Sequence, residues 1–488
     1  MGGGLPLQQY RFLRFNMKTT ANTYAPTVML TEAWRVFAIA SIAIFMVSLD
    51  TTILYAGFNN ILQSFPDSKA TDLSWAMSGY SIVYAALLIP AGGIADKYGR
   101  KKVFMLGTLL FITASFACGA SPSVFWLIVA RIFQSIGACL LSPAALALVL
   151  EAFPKEKRMI AMGAWGAVGA LAAALGPGIG SFIIDVGGWE WAFYINIPIG
   201  LICIWQSARV LNESIHPSKK IRMDWLGMLQ LIVGVGAITF GIVEMKTGEW
   251  PTTALVGVIL TGILVLFSYI PWAKVNPEPL FDLSLFKNKT FLFANLAGIT
   301  FAIAFSIMFF SFFFWMKEIW HYNQTLAGTA IMPGPLTVVP TAIMAGKIAS
   351  KIGHRPLLII GSFTYALSGL WYLLIPDANP NYMQDWLPGL FLSGMSIGLV
   401  MPSLSAAAVH ALPAKDYAVG SAINHAIRQI GTVIGVAITV LFLAKAQLQI
   451  SDFRTTYLIH ISLALLTALL CIPINTNPKQ RLGANNAI

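Results

Sequence analysis

Asp50 and Arg131 are charged residues set inside apolar runs, 35–58 and 124–149. In helices rising about 1.5 Å per residue, Asp50 lies about 12 Å and Arg131 about 10 Å from the same side of a bilayer. A lone charge at a bilayer centre costs about 2.5–3.5 kcal/mol or more, so it faces a cavity or a partner. Opposite charges at one depth are expected to be neighbours. A carboxylate so placed has one chemistry open to it, gaining and losing a proton, with the guanidinium modulating its proton affinity. A permanent structural ion pair is the competing reading.

Two helical faces are polar in otherwise apolar runs. Arg131, Gln134, Ser135, Ala138 and Ser142 recur at helical spacing, as do Ser421, Asn424, His425, Arg428 and Thr432. Lipid exposure of such faces is costly, so both are expected to line a central cavity. Tyr55, Gln134, Asn424, His425 and Arg428 are the candidate substrate contacts; hydrogen bonding between helices is the alternative for each. His425 titrates near neutrality if unperturbed, but packing is its commoner use. With Arg and His and no acid in 419–444, neutral, weakly acidic or zwitterionic amphipaths suit the face better than dications. Glu244, Glu318 and Asp185 are expected at the membrane surface and solvated.

The surrounding chain sets the class. Of 488 residues, 57% are hydrophobic and 10% charged, against about 25% charged in soluble domains. So few charges cannot cover a water-soluble globule of this length, and the remaining solvent is lipid. Fourteen runs approach the roughly 20 residues that span a bilayer: 35–58, 73–95, 103–121, 124–149, 159–184, 190–211, 224–244, 252–272, 290–315, 325–349, 355–375, 384–410, 419–444 and 453–475. With residues 1–34 and the tail 476–488 inside, 24 of the 31 Lys+Arg fall in inside segments and five outside. This is the bias of the positive-inside rule, and one helix more or fewer would blur it. The formal charge of +11 is therefore a topology signal, and no nucleic-acid partner is expected. No cleaved signal peptide is evident. Cys118, Cys139, Cys203 and Cys471 lie in apolar runs without CxxC spacing, so neither a metal nor a disulfide framework is expected. No HExxH, Ser/His/Asp arrangement or Walker loop occurs, and neither an enzyme nor a cofactor is expected.

Gly92-Gly-Ile-Ala-Asp96-Lys-Tyr-Gly99-Arg100-Lys-Lys102 follows the second run, and Gly346-Lys-Ile-Ala-Ser-Lys-Ile-Gly353-His-Arg-Pro356 follows the tenth. Such a repeat marks transporters built as two pseudo-symmetric halves with the substrate between them. It predicts an all-α polytopic membrane protein of two six-helix bundles, 35–211 and 290–475, joined by a linker, 212–289, that holds two extra helices.

Four motifs carry a resemblance to the major facilitator superfamily, and to its fourteen-helix drug:proton antiporter branch. They are the 92–102 loop, Arg131-x-x-Gln134-x-x-Gly137, the fifth-run pattern of Gly163, Gly176, Pro177 and Gly180, and Leu49-Asp50-Thr51-Thr52-Ile53. Trp189-x-Trp191-x-Phe193-x-x-Asn196-x-Pro198-x-Gly200 is similar to a further segment of that branch, whereas Tyr55 and Asn59 depart from its first helix. The resemblance implies a multi-pass protein of a bacterial inner (cytoplasmic) membrane that exports small amphipathic compounds in exchange for protons. It leaves open whether a periplasmic adaptor and an outer-membrane channel extend the path. A single-metabolite exporter, facilitator or importer is the rival reading, since fold alone does not settle substrate or direction. The fifth-run glycines are expected to pack closely and to offer a bending point. Asp96 is expected at a neighbouring helix N-terminus and Arg100 beside Glu151, as a latch on the cytoplasmic side.

Overall fold

The computed structural model describes residues 25–476, apart from 155–156, 215–222, 247–248, 411, 413–416 and 446. Residues 1–24 of the expected tail 1–34, 477–488 of the tail 476–488 and, among others, 215–222 of the linker 212–289 lie outside the described residues. The described chain is helical throughout, as lipid demands, because a helix satisfies every backbone donor and acceptor within its own segment. Fourteen helices span the molecule: α1 Ala25–Ser64, α2 Ala70–Tyr98, α3 Arg100–Gly119, α4 Val124–Ala152, α5 Arg158–Gly187, α6 Asn196–Val210, α7 Trp225–Val243, α8 Thr252–Val275, α9 Lys289–Phe314, α10 Pro333–Ile352, α11 Arg355–Leu374, α12 Leu387–His410, α13 Tyr417–Leu443 and α14 Ile450–Leu470. Among the described residues thirteen spans meet the length and apolarity needed to cross a membrane; α5, 30 residues long, completes the set.

The edges differ from the sequence reading in identifiable ways. α1 begins at Ala25, before the apolar run, so its first turns extend beyond the expected span. The sixth span breaks at Ile195 after a short turn, Trp191–Tyr194, and the tenth is entered through Gln324–Ile331 with a junction at Met332. Wider π turns, Trp315–Ile319 and Tyr382–Trp386, extend the ninth and twelfth spans.

Packing repeats with a shift of eight helices. In the first half α1 packs on α5, α4 and α6, α2 on α4, and α3 on α4 and α6; in the second, α9 packs on α13, α12 and α14, α10 on α12, and α11 on α12 and α14. The halves meet through α2 on α13 and, in the mirrored position, α5 on α10 and its entry turn. α7 and α8 pack chiefly on each other, with α7 touching α2 and α13. Buried Asp224 ties this inserted pair, accepting from Gly227 N (2.9 Å), Trp272 Nε1 (2.8 Å) and Leu280 N (2.8 Å). Leu260, Leu264 and Phe267 leave the outward side of α8 exposed, the face a lipid-facing helix presents.

The loop repeat is also a repeat in space. Gly99 (φ 105°) and Gly353 (φ 82°) take the positive φ that lets one helix end and the next begin at a sharp angle. Each turn is held by chain leaving the last helix of its own half. Glu213 accepts from Lys101 N (3.1 Å) and Lys102 N (3.2 Å), and Thr476 Oγ1 accepts from His354 N (2.8 Å). The acid of the first copy is thus answered by a hydroxyl in the second. Burial and the nearby His410 pull the His354 imidazole down to about 4, so the second copy has a neutral side chain at the position where the first has Arg100.

Candidate functional site

Asp50 lies in the middle of α1, and four neighbouring helices supply its surroundings. It is 2% exposed and Arg131, from α4, is 1% exposed. Arg131 Nη1 donates to Asp50 Oδ2 and to Gln134 Oε1, both at 2.6 Å, and Nε donates to the carbonyl of Ala76 on α2 (3.2 Å). Asp50 Oδ1 accepts from Gln134 Nε2 and from Asn196 Nδ2, both at 2.9 Å. Ser115 Oγ on α3 accepts from both amides, at 3.1 and 2.9 Å, and donates to the carbonyl of Phe193 (2.9 Å). The Tyr80 ring lies 4.2 Å from the guanidinium carbon, an attractive cation–π geometry.

The sequence reading brought Asp50 and Arg131 together from depth alone, and the structure pairs them. It puts Gln134 inside this network, wholly buried, rather than on an open wall. Asn196 and Ser115 carried no assigned role. The depth arithmetic that found Arg131 extends to Asn196, about 9 Å into the sixth run. A buried asparagine at the level of a buried acid was the available signal.

Arg131 has two acceptors besides Asp50, so neutralising the carboxylate leaves the guanidinium hydrogen-bonded. Asn196 Oδ1 is buried without a partner, and turning that amide over offers an acceptor to a protonated Asp50 where a donor now stands. A cavity of about 10 Å³, room for about one water, lies between the halves against Arg131, with Thr51, Tyr55, Tyr80 and Val436 in its wall.

Tyr55 belongs to the seam between the halves. Its hydroxyl is 3.5 Å from Ser306 Oγ, and its ring meets Phe309 and Phe310 edge-on at 5.6 and 5.2 Å. Toward the end of the molecule that carries the α1 C-terminus, the far end, further links close the seam. Phe58 packs on Phe310 (5.1 Å), Gln324 Nε2 donates to the Ala56 carbonyl (2.6 Å), Asn59 Nδ2 to Glu318 (3.1 Å) and Thr325 Oγ1 to Asp185 (2.6 Å). Glu318 and Asp185 are exposed, as expected, yet bind across the seam, whereas Glu244 is buried rather than solvated.

The α5 glycines make these approaches physically accessible. A Cβ on Gly176 would stand 1.8 Å from Thr52 Oγ1, and one on Gly180 2.7 Å from Ile53 Cγ1, so both face α1 beside Asp50. One on Gly178 would stand 2.0 Å from Met332 Sδ, across the seam. Pro177 lies within the helix, and its carbonyl would be 2.3 Å from a Cβ on Gly328. Gly163 lies within α5. Gly92 has ordinary space, with Pro143 at 3.7 Å.

At the opposite, near end, Arg100 pairs with Asp96 (2.8 Å) and Glu151 (3.0 Å). Asp96 meets that side chain, and all three residues belong to the first half. On α13, Asn424 Nδ2 donates to Asn295 Oδ1 on α9 (3.1 Å), so this residue ties two helices of one half. Arg428 and His425 remain partly exposed and lie beside each other, Nη2 to Nδ1 3.2 Å, with the Tyr84 ring of α2 against the imidazole at 5.6 Å.

Comparisons with known proteins agree with this architecture. The family model described as Major Facilitator Superfamily matches residues 40–436 and 296–487. The Multidrug transporter protein MdtP of Bacillus subtilis (strain 168) is 30% identical over 81% of this chain and 72% of its own length. Multidrug resistance protein Stp of Mycobacterium tuberculosis (strain CDC 1551 / Oshkosh) is 29% identical over 81% and 73%. Among solved structures, the crystal structure of a D-xylose-proton symporter superposes with a TM-score of 0.68 over 91% of this chain and 98% of its own, at 12% identity. A peptide transporter solved with sulfate gives 0.65 over 93% and 95%, at 14% identity. With a family model covering most of its length and two matching six-helix bundles in its fold, the chain belongs to the major facilitator superfamily.

Proposed function

We propose that this transporter is a proton-coupled antiporter of the fourteen-helix drug-exporting branch, moving small amphipathic compounds outward by alternating access. The observation that carries the reading is the buried carboxylate of Asp50, held by groups that stay satisfied whether it is charged or neutral. A purely structural ion pair needs no idle acceptor at Asn196 and no second acceptor for Arg131; a titrating one does. Relatives named for multidrug resistance support the substrate class, and the Lys/Arg distribution supports a cytoplasmic near end with both termini inside an inner membrane.

In this reading the bundles 35–211 and 290–475 rock about the seam, and the linker 212–289 with α7 and α8 rides along. The far end is closed here, with Tyr55, Phe58 and the α5 glycines forming the outer gate. Gly92, Asp96, Gly99, Arg100 and Glu151 form the cytoplasmic latch of the opposite state. Contact between the two halves of the mechanism runs through stacked rings. Tyr80 lies over Arg131 and stacks on Tyr84 at 6.0 Å, and Tyr84 meets His425, the neighbour of Arg428. A change of charge at Asp50 thus has a packed route to the seam.

The rival reading, a transporter of one metabolite, draws on the sugar and peptide transporters that share the fold. Purified protein in vesicles with an imposed pH gradient separates the two. Uphill exchange of several unrelated lipophilic compounds, abolished by a protonophore, is the expected result. Gradient-independent movement of a single polar metabolite would favour the rival.

A further inference from the structure

The polar face of α13 divides in the folded protein. Asn424 is committed to Asn295, and Thr432 Oγ1 donates to the Arg428 carbonyl. The Arg428 guanidinium is left over. Eleven residues into α13, about 16 Å deep, it has no carboxylate within 4 Å among the described residues, and its Nε has no hydrogen-bond partner. The contrast within the molecule is direct: Arg131 has Asp50, and Arg100 has Asp96 and Glu151.

Arg428's one side-chain partner sharpens the case. A guanidinium only donates, so the His425 Nδ1 that faces it at 3.2 Å must accept, which leaves the proton on Nε2. The imidazole is therefore neutral and presents a second donor beside the guanidinium. Tyr84 supplies an aromatic wall to the pair. A partly exposed cation at mid-membrane depth, with its Nε unengaged and an aromatic surface alongside, is a site built for an oxyanion with an apolar body.

We propose that Arg428, assisted by His425 Nε2–H, is the anion-recognising element of the substrate site, and that the substrates are amphipaths bearing a carboxylate or similar oxyanion. This rests on the export reading above and narrows its substrate class. Three probes with one fluorophore test it: dansylglycine (carboxylate), dansylamide (neutral) and dansylcadaverine (cation), titrated into the protein in nanodiscs at neutral pH without a gradient. The wild type is expected to bind dansylglycine at least about tenfold tighter than the other two. Arg428→Gln should erase that preference, and Arg428→Lys, which keeps the charge but loses the fork, should restore part of it. Gel filtration checks that both variants remain monodisperse. Equal binding of the probes, tightest binding of the cation, no binding by the wild type, or an undiminished carboxylate preference in Arg428→Gln would overturn the proposal. Binding needs no proton gradient. Arg428-dependent dansylglycine binding without gradient-driven flux would therefore overturn the export reading and leave the anion site standing.

Discussion

A buried charge pair is costly to break from one side only, because the remaining ion keeps its desolvation penalty without its partner. Arg131→Met is therefore expected to destabilise the protein by about 3–5 kcal/mol, read as a fall in thermal midpoint in detergent. Adding Asp50→Asn should recover part of that loss, and equal midpoints for wild type and Arg131→Met would contradict the pairing. Asn196 makes a subtler prediction. Its Nδ2 donates to Asp50 Oδ1. Asn196→Leu removes that donor and should lower proton-coupled flux in vesicles while gel filtration still shows a monodisperse protein. At this scale the sequence was informative where a single residue type is anomalous, as Asp50 and Arg131 are in apolar runs. It was mute about Ser115, an ordinary residue in an ordinary position until three helices converge on its hydroxyl.

Among the elements, α5 is where small residues decide how closely the halves approach. A side chain at Gly328 would meet the Pro177 carbonyl, backbone that cannot swing away, as well as Ser181 Oγ at 2.1 Å. Gly328→Val is therefore expected to hold the far end open. The readout is labelling of Phe58→Cys by a membrane-impermeant maleimide, in a background lacking the four buried native cysteines. Strong labelling with Gly328→Val and weak labelling without it is the prediction; equal labelling would remove this contact from the gate. The spans were legible because about 20 apolar residues leave a helix as the available structure in lipid. Their bends and edges were not. The break at Ile195 stands three residues before Pro198 and the junction at Met332 directly before Pro333, rings that remove a helical donor and that a reading by apolar length passes over.

Viewed as a whole, the molecule repeats one bundle twice, and the sequence already carried that fact in two glycine loops. What the repeat hid is the inequality of the copies. The first half holds the buried ion pair and an ion-paired Arg100 in its near-end loop, whereas the second has a neutral His354 at that loop position and, among the described residues, an Arg428 with no carboxylate partner. This division of labour, proton chemistry in one half and substrate recognition in the other, is what alternating access couples in the proposed cycle. Its most direct test is proton movement itself. Proteoliposomes with a trapped pH-sensitive dye and an imposed pH gradient receive a lipophilic compound that the wild type exchanges, and the same is done with Asp50→Asn. The account predicts that the compound dissipates the gradient through the wild type and leaves it intact with a folded Asp50→Asn protein. Equal dissipation by the two proteins would contradict it.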